Sequence, residues 1–308
     1  MELSYCPTFK AYSEEWIEVF KRPKVGEKWY TNILSLFRNH LWPSFGDRPI
    51  GSITKFDVQR FFNSRRKYAG QTLDKLRNLL SEIFDSALED GYVRINPADS
   101  RHIFYEKKAT ERKPLTKNAA AELIKEVDHA ANIRSIHESD RSLVYLAAYS
   151  GLRRGEIVAL RWENVDLDNG YIYVKEAVTY IGNRPVEKGP KSKAGVRRVP
   201  ICEELKAYLS RICRSGKYVV GGDHLLTDTE LSRAYERIRK HASFTDLHTL
   251  RHTFGTQMSG CTTPNELKSI MGHADIETTL GIYVHETDDN AELNFKAVNS
   301  LYKVDAGA

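Results

Sequence analysis

Only one stretch of this 308-residue chain reads clearly as β-structure, and that restricts the choice of fold more than any other feature. Residues 171–180, YIYVKEAVTY, are rich in the β-branched and aromatic side chains that suit a pleated surface. Gly182-Asn183 then turns the chain, and residues 184–191 and 196–201 complete one small antiparallel sheet, joined across residues 192–195. Most of the remainder carries the three- and four-residue apolar spacing of amphipathic helices. The expected class is therefore mainly α, with a helical domain and a mixed α+β domain that holds the small antiparallel sheet.

In the first domain, residues 1–97, Phe9, Tyr12, Trp16, Val19 and Phe20 recur at helical spacing, as do Tyr30, Ile33, Leu34 and Phe37. Gly46 to Pro49 and Gly51 to Thr54 are loop and cap signals before a further helix. A long helix over residues 71–89 has Leu73, Leu76, Leu79, Leu80, Ile83, Phe84 and Ala87 as its apolar stripe, and Gly91 stops it. Residues 98–114 are polar and basic and read as an interdomain linker. The second domain, residues 115–308, opens with a helix capped at Thr116. It continues with an apolar helix over 141–150, an interruption at Gly151, another helix over 153–162, the sheet, and helices again from Glu203.

A hydrophobic content of 41% with 28% charged residues is that of a globular chain. The net charge of +5, from 46 basic and 41 acidic residues, permits a polyanionic partner without demanding one. Cys6, Cys202, Cys213 and Cys261 form no CxxC pair, as expected of reduced thiols in a cytoplasmic protein. No run of 18 apolar residues and no signal-type start occurs, so neither a membrane span nor export is expected.

The chemistry gathers in a few positions. Arg153 and Glu156, three apart on a helix, share a face on which a carboxylate can orient a guanidinium for phosphate oxygens. His248 and Arg251, in His248-Thr249-Leu250-Arg251, have the same spacing on a helix capped near Asp246. Lys191 lies at the hairpin tip, with Lys193 as its competitor, where an ammonium among other cations suits general-acid work. His273 follows Gly272 at a turn, and Tyr283 follows Gly281. Any one of these fits an ordinary solvated surface. Forming a phenolate at neutral pH from a group of pKa about 10 costs roughly 4 kcal/mol, so a tyrosine nucleophile needs a base or a strong positive field beside it.

Taken in order, Gly151-Leu152-Arg153 with Glu156, Lys191, His248-Thr249-Leu250-Arg251, Gly272-His273 and Tyr283 resemble the signature of the tyrosine recombinase, or phage integrase, family. The resemblance spans nearly the whole chain and implies a core-type DNA-binding domain followed by a catalytic domain of the DNA breaking-rejoining fold. It implies that Tyr283 attacks a DNA phosphate to give a 3′-phosphotyrosyl link, with Arg153 and Arg251 on the nonbridging oxygens. Lys191 would protonate the leaving 5′-oxygen, His248 and His273 would handle protons and the phosphate, and Glu156 would support. No cofactor and no metal is implied. The partners are double-stranded DNA and further copies in a tetramer, with room for an accessory DNA-bending or excision factor and no membrane. The apolar residues Leu293, Phe295, Val298, Leu301 and Tyr302 would dock on their own or a neighbouring subunit. The family's arm-binding module has no counterpart ahead of residue 8, and integration or excision of a mobile element is the expected role. A type IB topoisomerase-like enzyme and a catalytically silent DNA-binding regulator are the alternatives.

Overall fold

A computed structural model describes residues 6–106, 113–189 and 196–272. The chain divides into two compact units, Met1–Glu111 and Arg112–Ala308.

In the first unit, α1 (Phe9–Trp16) begins at Thr8, whose hydroxyl accepts from the Ala11 N–H, and runs on through a π-helical stretch, Ile17–Lys21. The next helix, α2 (Glu27–Leu36), passes through a second such stretch, Phe37–Leu41, into α3 (Trp42–Phe45). Pro43 has no N–H to offer the carbonyl four residues back, and the helix widens just before it, with the Trp42 N–H reaching Phe37 O. Thr54 and Asp57 form a reciprocal capping box on α4 (Lys55–Asn63). The long α5 (Gly70–Glu89) buries the stripe expected of it, with Leu73, Leu76, Leu80, Ile83, Phe84 and Ala87 fully enclosed. Phe9 sits at the centre, its ring 5.8 Å from that of Phe45 and 5.9 Å from that of Phe84.

Part of the polar stretch after Pro97 joins this core. Ala98 and Ile103 are buried, and Tyr105 stacks on Phe62 and donates from its hydroxyl to Asp74 (2.6 Å). The Gln59 amide brackets the Phe104 backbone, donating to its carbonyl and accepting from its N–H. Ile103, Phe104 and Tyr105 are an apolar run in a polar sequence, and burying Ile103 and part of Tyr105 explains why the chain stays on the helices here.

The second unit opens with α6 (Lys117–Asn132), capped by Thr116, and α7 (Glu138–Ser150), which is buried on most sides and packs along α11. The α7 helix ends at Gly151 in the left-handed conformation, and α8 (Arg154–Ala159) follows at once. The β-region differs from the single sheet expected. The strands β1 (Val165–Asp166), β2 (Tyr171–Val174) and, later, β5 (Arg197–Pro200) form one antiparallel sheet in the order β1-β2-β5. A separate hairpin pairs β3 (Ala177–Ile181) with β4 (Arg184–Lys188). The run of β-formers breaks at Lys175-Glu176, its only charged pair, where Glu176 turns toward Arg161 (3.9 Å). Ile172 therefore lies opposite Val165 on one side and Val199 on the other.

Beyond the sheet come α9 (Glu203–Arg211), α10 (Asp228–Arg239), α11 (Leu247–Ser259) and α12 (Pro264–Met271). Residues 212–227, expected to be helical, instead loop back, with the Val219 N–H donating to Leu160 O and Trp162 N–H to Lys217 O. The buried Asp140 grips the Arg237 guanidinium through both oxygens (2.7 and 2.8 Å), fixing α10 on α7. No helix among the described residues is long and apolar enough to cross a membrane.

Candidate functional site

Three arginines converge on the last carbonyls of α12. Its C-terminus is where unsatisfied C=O groups carry partial negative charge, so it draws cations. Arg197 Nε donates to Ile270 O (2.7 Å), Arg251 Nη2 to Met271 O (2.6 Å) and Arg153 Nη2 to Gly272 O (2.6 Å).

Each arginine arrives by a different route. Arg153 stands at the start of α8 because Gly151, at φ 61°, ends α7 and turns the chain. A side chain at Gly151 would also collide with Phe254 (2.4 Å), so the turn needs glycine on both counts. Glu156, one turn on, accepts from the Arg153 N–H (2.8 Å) and from Arg153 Nη1 (2.9 Å), which caps the helix and orients the guanidinium at once. Arg251 lies on α11, which starts at Asp246 where the carboxylate accepts from the Thr249 N–H (2.7 Å). It is buried, and Nη1 donates to Gly151 O. His248, a turn earlier, is exposed, so the two share a helix and differ in depth.

Arg197 goes unmarked in the sequence beyond its place in a basic pair. It lies on β5 beside Val199, and the alternation along that strand turns both inward while Arg198 faces out. That alternation is the signal that marks it: a cation on a buried face needs a carboxylate. The partner is Glu156, gripped through both oxygens (2.9 and 2.8 Å).

The charges set one another. Burial pushes the Glu156 carboxyl up, but Arg197 and then Arg153 outweigh it and hold the group down at about 2. Arg251 is lowered to about 9 by burial and by the neighbouring Arg153 and Arg197, with Glu156 opposing. A guanidinium has five N–H donors, and both Arg153 and Arg251 keep donors beyond those given to carbonyls. Three cations around one carboxylate leave an excess of positive charge that an oxyanion would relieve. Arg153, with 42% of its side chain exposed, is the outward edge of that cluster.

Of the residues expected to act, Arg153, Glu156 and Arg251 are brought together here, and His248 lies one turn from Arg251. Lys191 and its competitor Lys193, His273, Tyr283 and the apolar set from Leu293 to Tyr302 lie outside the described residues. Among the described residues no group of three or more His, Cys, Asp or Glu is placed to hold a metal ion.

Two family models match the chain, that of the phage integrase family over residues 113–290 and that of the phage integrase central domain over residues 9–102. The transposase of transposon Tn916 from Enterococcus faecalis is 26% identical across 97% of this chain and 78% of its own length. A XerC-like tyrosine recombinase from Caldanaerobacter subterraneus subsp. tengcongensis is 25% identical across 82% of this chain and 72% of its own. In fold, the chain is similar to the Tn1549 transposon integrase in complex with a circular intermediate DNA, with TM-score 0.73, 21% identity, and coverage of 94% of this chain and 99% of that one. A lambda integrase tetramer bound to a Holliday junction gives 0.69 at 16% identity, over 93% and 79%.

Proposed function

This chain belongs to the phage integrase family of tyrosine recombinases and catalyses site-specific DNA recombination, and from that premise we propose the part each residue plays. The observation that carries the assignment is the shared anchorage of Arg153 and Arg251 on neighbouring carbonyls, Gly272 and Met271, one residue before His273. Held there, their free donors grip the two nonbridging oxygens of the scissile phosphate and stabilise the charge that builds as it becomes pentacoordinate. Tyr283 supplies the nucleophile: its oxygen bonds to phosphorus as the bond to the 5′-oxygen breaks, leaving a 3′-phosphotyrosyl ester and a 5′-hydroxyl. The ester keeps the bond energy, so attack by another 5′-hydroxyl completes strand exchange. Lys191 protonates the departing oxygen, His248 takes the phenolic proton, His273 donates to the phosphate, and Glu156 fixes Arg153.

Double-stranded DNA is the substrate, and the working assembly is a tetramer that joins two sites. The biological role is integration and excision of a mobile element, supported by the likeness to transposon-borne relatives. A nicked suicide duplex carrying the recombination site tests the nucleophile. Wild type accumulates a covalent adduct in a denaturing gel and Tyr283→Phe does not; an adduct that persists in Tyr283→Phe assigns the nucleophile elsewhere. A 5′-thio leaving group, which needs no proton, restores cleavage to whichever of Lys191→Ala and Lys193→Ala has lost the general acid.

A further inference from the structure

We propose that Arg197 is a positioning residue for strand cleavage, a buried guanidinium that locks three separate parts of the active site into one register. The inference rests on the recombinase reading above and adds to it a residue with no part in the phosphate chemistry itself. Its side chain is buried, and Nε, Nη1 and Nη2 are all given to Ile270 O and the Glu156 carboxylate, so whatever it does passes through those partners.

Those partners are the active site's own supports. Two Arg197 nitrogens grip the Glu156 carboxylate, which with its remaining lone pairs accepts the Arg153 N–H and Nη1. The third, Nε, holds Ile270 O, two residues before the Gly272 carbonyl that anchors Arg153 and three before His273. The plane of the guanidinium lies against Gly272 so closely that a Cβ there would stand 2.8 Å from Nη1 and 2.9 Å from Cζ. On the other side, Arg197 opens the strand that follows the Lys191 segment, six residues along the chain, and pairs with Val174 in the sheet. Glu156, the end of α12 and the strand β5 therefore meet at one side chain.

Energetics favour a positional role over a stabilising one. A buried ion pair seldom beats well-packed apolar side chains for stability, because desolvating two charges offsets most of their attraction. What the pair adds is direction, since a planar fork accepts a carboxylate in one orientation and leaves its third donor aimed at one carbonyl. Lysine keeps the charge and loses that geometry.

The test is single-turnover cleavage of a nicked suicide duplex by the full chain, with DNA affinity and thermal melting measured alongside. Arg197→Lys and Arg197→Met are each expected to slow cleavage about 100-fold while DNA affinity stays within about threefold, the pattern of an interaction that matters only in the transition state. In the double variant Arg197→Met/Glu156→Gln, cleavage is expected to be no more than about threefold slower than in Arg197→Met alone, because both act through one chain of contacts. A merely structural role would instead lower affinity and melting temperature in step with cleavage. Cleavage within threefold of wild type in Arg197→Lys, or multiplied losses in the double variant, overturns the proposal. Should Arg197→Met fail to fold, Arg197→Lys decides alone. Failure of wild type to form the covalent adduct would count against the recombinase chemistry and is visible before any Arg197 variant is compared.

Discussion

Glu156 gives the cleanest reading at the scale of single residues, because its environment changes a measurable free energy. Its carboxyl is held at about 2 against an ordinary 4.5, burial pushing it up while Arg197 and Arg153 pull harder. A carboxyl lowered in the folded state binds fewer protons there than in the unfolded chain, so its contribution is present above pH 4.5 and drains away as pH falls toward 2. The full effect is on the order of 3 kcal/mol. In urea titrations between pH 7 and pH 2, Glu156→Gln is expected to be less stable than wild type at pH 7 and to converge on it at the acid end. A gap that stays constant across that range would mean the ion pair is not what lowers the carboxyl. Arg251 has the opposite burden, a cation lowered to about 9 by burial and by two neighbouring arginines, a cost that the phosphate proposed to bind there would relieve. Arg251→Lys is expected to lose at least about 100-fold in cleavage, since one ammonium nitrogen cannot replace the separate Nη1 and Nη2 that reach Gly151 O and Met271 O in a fixed plane. Single-turnover rates at saturating DNA check this, and a loss confined to affinity would contradict it. Arg153, Glu156 and Arg251 stand out in the sequence only as part of the ordered set that resembles the family signature, since each spacing alone fits a solvated surface; Arg197 carries a weaker signal, its two-residue spacing from Val199 on a short strand.

Among the elements, helix ends were easier to foresee than the strands. Asp246, Thr116 and Gly151 act as the caps their residue types announce, since a short polar side chain or a glycine meets a local need that no distant contact alters. The sheet was less legible, because pairing is settled by partners far along the chain. Residues 171–181 carry two strands, and β2 pairs with β5 whereas β3 pairs with β4. The end of α12 shows what such distant contacts add to a local rule. Gly272 and Gly91 both adopt left-handed backbone, at φ 65° and 78°, but an added Cβ at Gly91 meets nothing within 4 Å while one at Gly272 strikes the Arg197 guanidinium. Gly91→Ala is therefore expected to cost only the backbone term of about 1–2 kcal/mol, with cleavage unchanged. Gly272→Ala adds displacement of Arg197 and is expected to lower cleavage by more than its stability loss explains. Denaturant melts and cleavage rates on the pair separate the two terms; equal behaviour would remove Arg197 from the account of Gly272.

For the whole molecule, the arrangement of apolar residues argues for two independent folding units with unequal tasks. Among the described residues, one core joins Phe9 through Ile103 and another joins Leu123 through Leu250. Chains of about 100 residues or more bury enough surface to fold alone. Arg153, Glu156, Arg197 and Arg251 all belong to the second unit, so the arginine–glutamate cluster does not depend on the first for its geometry. Separate expression of residues 1–106 and 113–308 is thus expected to give two folded proteins, each melting cooperatively. The larger fragment should still form the covalent adduct at saturating DNA while binding about 100-fold more weakly than the full chain. Its affinity should also fall less steeply with salt, because every DNA phosphate that the helical unit neutralises in the full chain adds close to one released counterion to the slope. A fragment that saturates DNA and cannot cleave it would show that the catalytic cluster is incomplete within the second unit. A salt slope equal to that of the full chain would instead assign all the phosphate neutralisation to that unit and leave the helical one without a role in gripping DNA.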